Sequence, residues 1–415
     1  KRLEEVKSRL KISIKEMSYL AIVFFFSVAL NPEWSANSLL WWGSFLSVVI
    51  LMSASNNYRL IIKINMFKIW LMLFLGMCFI SITYAINRPN SFNVIKTLIV
   101  LFIVLFLVDD QINSHEELEK YLRLFLISLL IMMIYVICNL DLNSFQLAQH
   151  GEATTGLWNG NDIGMKCALY IILMLHFLSN NKKILQKTIL LITLLIPLVL
   201  LYYTASRKAI LMVILGVSFF YYLKHPNKKI RNLIVICLGV YIVYTLMINN
   251  VYLYKAIGWR IEGALALLNK SGQVDSSTLL RKRYIDIGID AWKKSPFLGY
   301  GVADFSIINS CKTGHMTYSH NNFVEMLVGV GGIGFLIYYS YYIKLLFDYV
   351  KIYFKHRSSQ ILNVVAICFI IMFVMHFAVV SYYAVEQGLI NLFMFKAIKL
   401  NKNVTYKSKI KGEEK

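Results

Sequence analysis

Long apolar runs, each broken by a short polar connector, repeat along almost the entire chain. Twelve can be counted, near residues 18–31, 36–54, 66–85, 93–109, 121–139, 162–178, 185–203, 208–223, 232–248, 321–345, 361–379 and 382–398. A helix needs roughly 17–25 predominantly apolar residues to cross about 30 Å of hydrocarbon. The pattern therefore predicts an all-α integral membrane protein with about twelve transmembrane helices. Residues 1–415 form a single polytopic domain, with neither an internal repeat nor a soluble second domain. The first run follows a basic amphipathic segment and carries no small-residue cleavage pattern, so it reads as a retained span. One interval breaks the rhythm, a polar stretch over residues 249–320.

Composition agrees, with 58% apolar residues and mean hydropathy +0.60, against about 45–50% apolar in soluble domains. A net charge of +21 would suggest nucleic acid in a soluble protein, but here its placement decides. Lys and Arg crowd residues 1–17, 55–68, 110–123, 179–187, 224–231, 347–360 and 396–415. The alternate connectors 32–37, 86–92, 139–161 and 380–387 hold a single basic residue between them, and the turn 204–209 holds Arg207 and Lys208. Short loops rich in Lys and Arg face the cytoplasm. Both termini are then cytoplasmic, the 249–320 loop is extracytoplasmic, and the partners are membrane lipids rather than nucleic acid. Five of six cysteines fall in apolar runs and only Cys311 lies in the loop. No Cys/His spacing suits a metal or a disulfide framework.

The polar residues that stand out lie on the outer side. Ser206 and Arg207 sit at the outer end of the seventh run, where an arginine is costly unless it meets an anion or a water-filled cavity. Its planar fork matches phosphate oxygens, although an interfacial headgroup anchor is the plainer reading. Lys166 lies one turn inside the sixth run and is either functional or snorkelling outward. The segment before it, ending Asn159-Gly160-Asn161, is rich in turn formers.

Two helical stretches are expected in the long loop. One, near 252–269, lies on the bilayer surface; the other spans 277–294. In the second, Arg281 shares a face with Ile285, Gly288 and Trp292, whereas Arg283 aligns with Asp286, Asp290 and Lys294. Arg281 therefore points inward and needs a partner, and Arg283 belongs to a solvated stripe. Pro296, Gly299 and Gly301 make a tight turn that returns the chain toward His320. His320 opens the tenth run, ahead of Asn321, Asn322 and Glu325; histidine is the usual general base near neutral pH. Gly331, Gly332 and Gly334 suit close helix packing.

These blocks resemble the O-antigen ligase/polymerase family, which includes the Wzy-type polysaccharide polymerases. The matching residues are Ser206-Arg207, then Arg281 with Pro296-Phe297-Leu298-Gly299-Tyr300-Gly301 and Phe305. His320-Asn321-Asn322-Phe323-Val324-Glu325-Met326-Leu327 follows, with Gly331 and Gly334. Trp158-Asn159-Gly160-Asn161 is similar to the family's Asn-bearing turn. The resemblance implies a metal-independent glycosyltransferase of GT-C architecture in the bacterial cytoplasmic membrane, needing no cofactor. Its donor is an oligosaccharide on undecaprenyl diphosphate and its acceptor a growing glycan or a lipid-linked molecule. Arg207 and Arg281 would hold the diphosphate and His320 would be the base. Lys166, Asn161, Ser206, Arg283, Asn321 and Glu325 would support them. Flippase and chain-length regulator proteins are implied partners. Within the family, the block from His320 to Gly334 and the lack of an appended C-terminal soluble domain favour a polymerase building capsular or O-antigen polysaccharide. The alternatives are a ligase transferring glycan to a lipid A-core or protein acceptor and, outside the family, a polysaccharide or lipid transporter.

Overall fold

The structure is a computed structural model describing residues 2–55, 63–140, 159–181, 183–224, 228–251, 276–355 and 358–413, with residues 254, 258 and 262. The expected surface helix near 252–269 and most of the 139–161 connector, Trp158 included, lie outside the described residues. What is described is helical, without a strand. In chain order the helices are α1 (Arg2–Leu30), α2 (Pro32–Ala36), α3 (Ser38–Ser55), α4 (Met66–Ile82), α5 (Arg88–Gln111) and α6 (His115–Cys138). Then come α7 (Gly160–Asn180), α8 (Ile184–Thr193), α9 (Leu195–Thr204), α10 (Arg207–Lys224) and α11 (Lys229–Asn249). The last are α12 (Ser276–Lys294), α13 (Phe305–Thr313), α14 (Asn322–Phe354), α15 (Gln360–Met375) and α16 (Val385–Glu413).

A helix occupies each of the twelve predicted runs. Among the described residues, seven helical segments are long and apolar enough to cross a membrane, and α4 and α15 are shorter apolar helices. The protein is a multi-pass membrane protein; the count of twelve crossings stays an expectation. Its outward side chains fit lipid: Leu39, Ile184 and Ile230 are 86%, 83% and 78% exposed.

Short Asn- and Ser-bearing connectors start the helices, because a side-chain oxygen satisfies first-turn N–H groups that have no partner within the helix. Asn65, Asn87, Asn159 and Asn321 accept N–H groups of Lys68, Asn90, Asn161 and Val324, opening α4, α5, α7 and α14. The seventh run is carried by two helices, α8 and α9, that meet at Leu194, which keeps helical φ −69° and ψ −24°, just before Pro197, whose missing N–H removes one bond of the helical ladder.

The chain divides into two compact units. The first comprises residues 1–60, 116–273 and 359–371, and the second 61–115, 274–358 and 372–415. In the first, α1 packs along α3, and α7 along α9 and α10. In the second, α4 and α12 pack on α14, and α5 packs on α4 and α16. The second unit's core is aromatic: Trp70 stacks on Tyr341 at 4.3 Å and donates Nε1–H to the Tyr338 carbonyl. A neutralised charge cluster sits beside it, with Lys68 Nζ 2.6 Å from Asp110 and Lys396 Nζ 2.9 Å from Asp109.

α14 departs from the sequence reading. It runs on to Phe354, and at Gly331 its backbone leaves the helical region, with φ 65° and ψ −173°. The glycines of this block do not act simply as a packing face, since Gly331 interrupts the helix. The interruption frees backbone groups that must be paired inside a membrane. The 296–301 turn pairs them: Tyr300 and Gly301 donate N–H to the carbonyls of Val328 and Gly329, at 2.8 and 2.9 Å. In return Gly332 and Ile333 donate to the carbonyls of Pro296 and Phe297, at 2.8 and 3.2 Å. The turn therefore docks into the break in α14, downstream of His320.

Candidate functional site

The second unit holds the histidine. Residue 320 lies in the left-handed region, φ 56°, a conformation uncommon outside glycine. It is fixed there by its neighbours. Ser319 N–H donates to Glu325 Oε2 at 2.9 Å, Ser319 Oγ donates to the Asn321 carbonyl at 2.8 Å, and Asn321 caps α14. Glu325, buried one turn into α14, thus braces the backbone just ahead of the histidine. The half-buried imidazole lies against two rings, with Tyr318 4.2 Å away and Tyr284 stacked at 6.1 Å and 14°.

Tyr284 belongs to α12 and so connects the histidine to the arginine helix. The buried face of α12 is Tyr284, Ile287 and Ala291, packed on Phe305, Val324 and Val328. Gly288 permits the approach, since a Cβ there would lie 2.2 Å from Val324 Cγ1. Arg281 stands one turn before Tyr284, half-buried at the border of this face, and Arg283 is exposed with Asp286, Asp290 and Lys294. The helix places Arg281 and Tyr284 on neighbouring positions of one side.

The segment after the turn anchors this assembly. Asp304 is buried and accepts the N–H groups of Ile86, at 2.7 Å, and Asn87, at 3.3 Å. Burial raises its carboxyl above the ordinary range, against the two N–H donors that favour the charged form. Ser91 Oγ donates to the Val302 carbonyl at 2.7 Å, and Tyr84 to the Leu298 carbonyl at 2.8 Å. Asp304, Tyr284 and Tyr318 were absent from the sequence reading. An acid one residue before the motif phenylalanine was the only signal for the first. An aromatic three residues after the arginine was the signal for the second.

The first unit holds the other group. Ala205, in the left-handed region at φ 44°, ends α9. Ser206 then opens α10, its Oγ accepting the Ala209 N–H at 3.3 Å and donating to Asn161 Oδ1 at 2.9 Å. Arg207 and Lys208 occupy the first turn of α10, where the helix macrodipole is already positive. Two cations at a helix N-terminus make a strongly anion-attracting place. Gly164 of α7 lets this turn come close, since its Cβ would meet Ala209 Cβ at 2.8 Å. Lys166 is buried, and its Nζ donates to Asp162 at 2.6 Å and to the Leu30 carbonyl at 2.8 Å. That bonding ties α7 to the end of α1.

All six cysteines are free thiols, and among the described residues no group of His, Cys, Asp and Glu is arranged to hold a metal ion.

No curated protein matches the chain. Residues 190–339 match the family model described as O-antigen ligase, a segment that includes Arg207, Arg281, His320 and Glu325. This match covers about a third of the chain, and over that segment the protein is similar to the O-antigen ligase family, in agreement with the resemblance to the O-antigen ligase/polymerase family read from the sequence.

Proposed function

We propose that the protein is a glycosyltransferase that polymerises oligosaccharide repeat units carried on undecaprenyl diphosphate at the outer leaflet of the bacterial cytoplasmic membrane. The observation that carries this reading is His320, held in a left-handed turn at the mouth of α14 with Tyr284 of the arginine helix stacked on it. The acceptor hydroxyl attacks the anomeric carbon of the donor and gives its proton to His320. The bond from that carbon to the diphosphate breaks, and lipid diphosphate leaves with the electron pair. Positioned proton removal of this kind contributes about 10²–10⁴-fold. Arg207 and Arg281 bind the diphosphate and offset its growing charge. Departure of the diphosphate drives the reaction without a nucleotide.

Orientation follows the short-loop charge pattern, which puts both termini in the cytoplasm and the His320 mouth outside. The polymerase reading rests on the block His320 to Gly334. Purified protein in nanodiscs, given only a lipid-linked repeat unit, should produce a ladder of lipid-linked oligomers. A product that forms only when a second lipid or protein acceptor is added would make it a ligase. Movement of substrate with no new glycosidic bond would make it a transporter.

A further inference from the structure

A chain of buried polar side chains begins two residues after His320 and runs through the second unit, and the proposed reaction leaves it unused. Asn322 Nδ2 donates to the Tyr339 hydroxyl at 2.8 Å, and that hydroxyl is 3.2 Å from His376 Nδ1. His376 Nε2 is 3.1 Å from Gln387 Oε1. Gln387 donates to Asn391 at 3.1 Å, and Asn391 to the Tyr342 hydroxyl at 2.8 Å.

Backbone groups set the direction of this chain. Asn322 Oδ1 accepts the N–H groups of Ser381 and Tyr382, at 2.9 and 3.1 Å. Its amide therefore cannot flip, and its NH₂ must point at Tyr339. Tyr339 takes that bond and passes its own hydrogen to His376 Nδ1. The imidazole is then neutral with its proton on Nε2, which serves Gln387. Each later group donates onward in turn, so every member has both an acceptor and a donor role filled. In a buried setting a fully matched network is rigid, and a half-matched one is costly.

The same segment grips the backbone beside His320. Asn322 N–H donates to the His376 carbonyl at 2.7 Å, and Asn321 Nδ2 to the Phe377 carbonyl at 3.3 Å. We infer that His376 is a positioning residue for His320: through Tyr339 it locks the Asn322 side chain, and with it the turn that presents the His320 imidazole. The inference rests on the reading of His320 as the base.

Tyr339→Phe removes the hydroxyl between Asn322 and His376 while keeping a ring packed on Phe323, 4.7 Å away. His376→Leu removes both ring nitrogens, and His376→Asn keeps an acceptor facing Tyr339. Displacing a reacting group by about 1 Å can cost on the order of 10²-fold. Tyr339→Phe and His376→Leu should therefore lower kcat by roughly 10–100-fold at an unchanged KM for the donor, and His376→Asn should restore most of it. Histidine ¹⁵N NMR of the full chain in nanodiscs supplies a readout without substrate. His376 should carry its proton on Nε2, and the His320 resonances should move in Tyr339→Phe but not in Tyr241→Phe, an exposed position on α11. An unchanged kcat, or His320 resonances unmoved by Tyr339→Phe, would overturn the positioning role. Full turnover by His320→Ala would instead remove the base reading, leaving the NMR comparison to decide the positioning claim alone.

Discussion

Replacing Gly331 with alanine tests the interrupted helix that frames the site. At φ 65° and ψ −173° the residue occupies a region open essentially to glycine, where another side chain costs roughly 1–3 kcal/mol. The added Cβ would also lie 2.2 Å from the Phe297 carbonyl oxygen and 2.4 Å from its carbon. Both are backbone atoms, so no rotamer change relieves the clash and the 296–301 turn must retreat. Retreat lengthens the bonds from Gly332 and Ile333 to Pro296 and Phe297, and each buried N–H left unpaired costs about 1–3 kcal/mol. Strain with one lost bond gives roughly 2–6 kcal/mol, a large part of the about 5–15 kcal/mol that holds a folded protein together. Gly329→Ala is the control from the same block, because its Cβ would have its nearest neighbour at 3.5 Å. Both variants, fused to a fluorescent protein and solubilised in detergent, would be heated and followed by size-exclusion chromatography. Gly331→Ala should melt well below wild type, and Gly329→Ala close to it. Equal melting of Gly331→Ala and wild type would refute the account of the break.

Other consequences follow from named residues. Arg281→Ala should abolish or greatly reduce polymer formation and Arg281→Lys should rescue poorly, because a lysine lacks the planar two-pronged contact; Arg283→Ala, at an exposed position, should be milder, and the reverse ranking in the ladder assay would contradict the face assignment. Asp304→Ala should destabilise by roughly 1–3 kcal/mol, since the Asn87 N–H loses its acceptor while the Ile86 N–H keeps the Tyr300 carbonyl at 3.3 Å. Because the folded-state pKa of Asp304 is raised, its ionisation weakens the wild-type fold as pH rises from the ordinary carboxyl value through the raised one; thermal melts across acidic pH should show that component vanish in the variant. A membrane-impermeant maleimide added to intact cells should label exposed Cys311 and not a cysteine placed near either terminus; the opposite pattern would invert the topology.

Much of the helical layout was legible because a membrane forces each span into a long apolar run, and all twelve runs carry helices. Charge alternation and helical periodicity are local patterns too, and the second distinguished Arg281 from Arg283 by exposure. The buried face of α12, however, centres on Tyr284 and Ala291, leaving Arg281 and Trp292 at its border. That face depends on what α14 presents to it, which no single helix records. The break at Gly331 was illegible for a related reason. A glycine-rich stretch fits close packing as well as an interruption, and only the distant 296–301 turn decides between them. Asp304 and His376 each appear in the sequence as an isolated polar residue beside apolar ones. Their partners Ile86, Asn87 and Tyr339 are remote in sequence, so periodicity carries no trace of them.

The central claim is that His320 removes the proton from the acceptor hydroxyl, and it is tested most directly by measuring donor affinity and single-turnover rate on His320→Ala. The account predicts unchanged binding of the lipid-linked donor and a rate at saturation lower by about 10²–10⁴-fold. Weakened donor binding with an unchanged rate at saturation would contradict it, and would make His320 a ligand of the diphosphate.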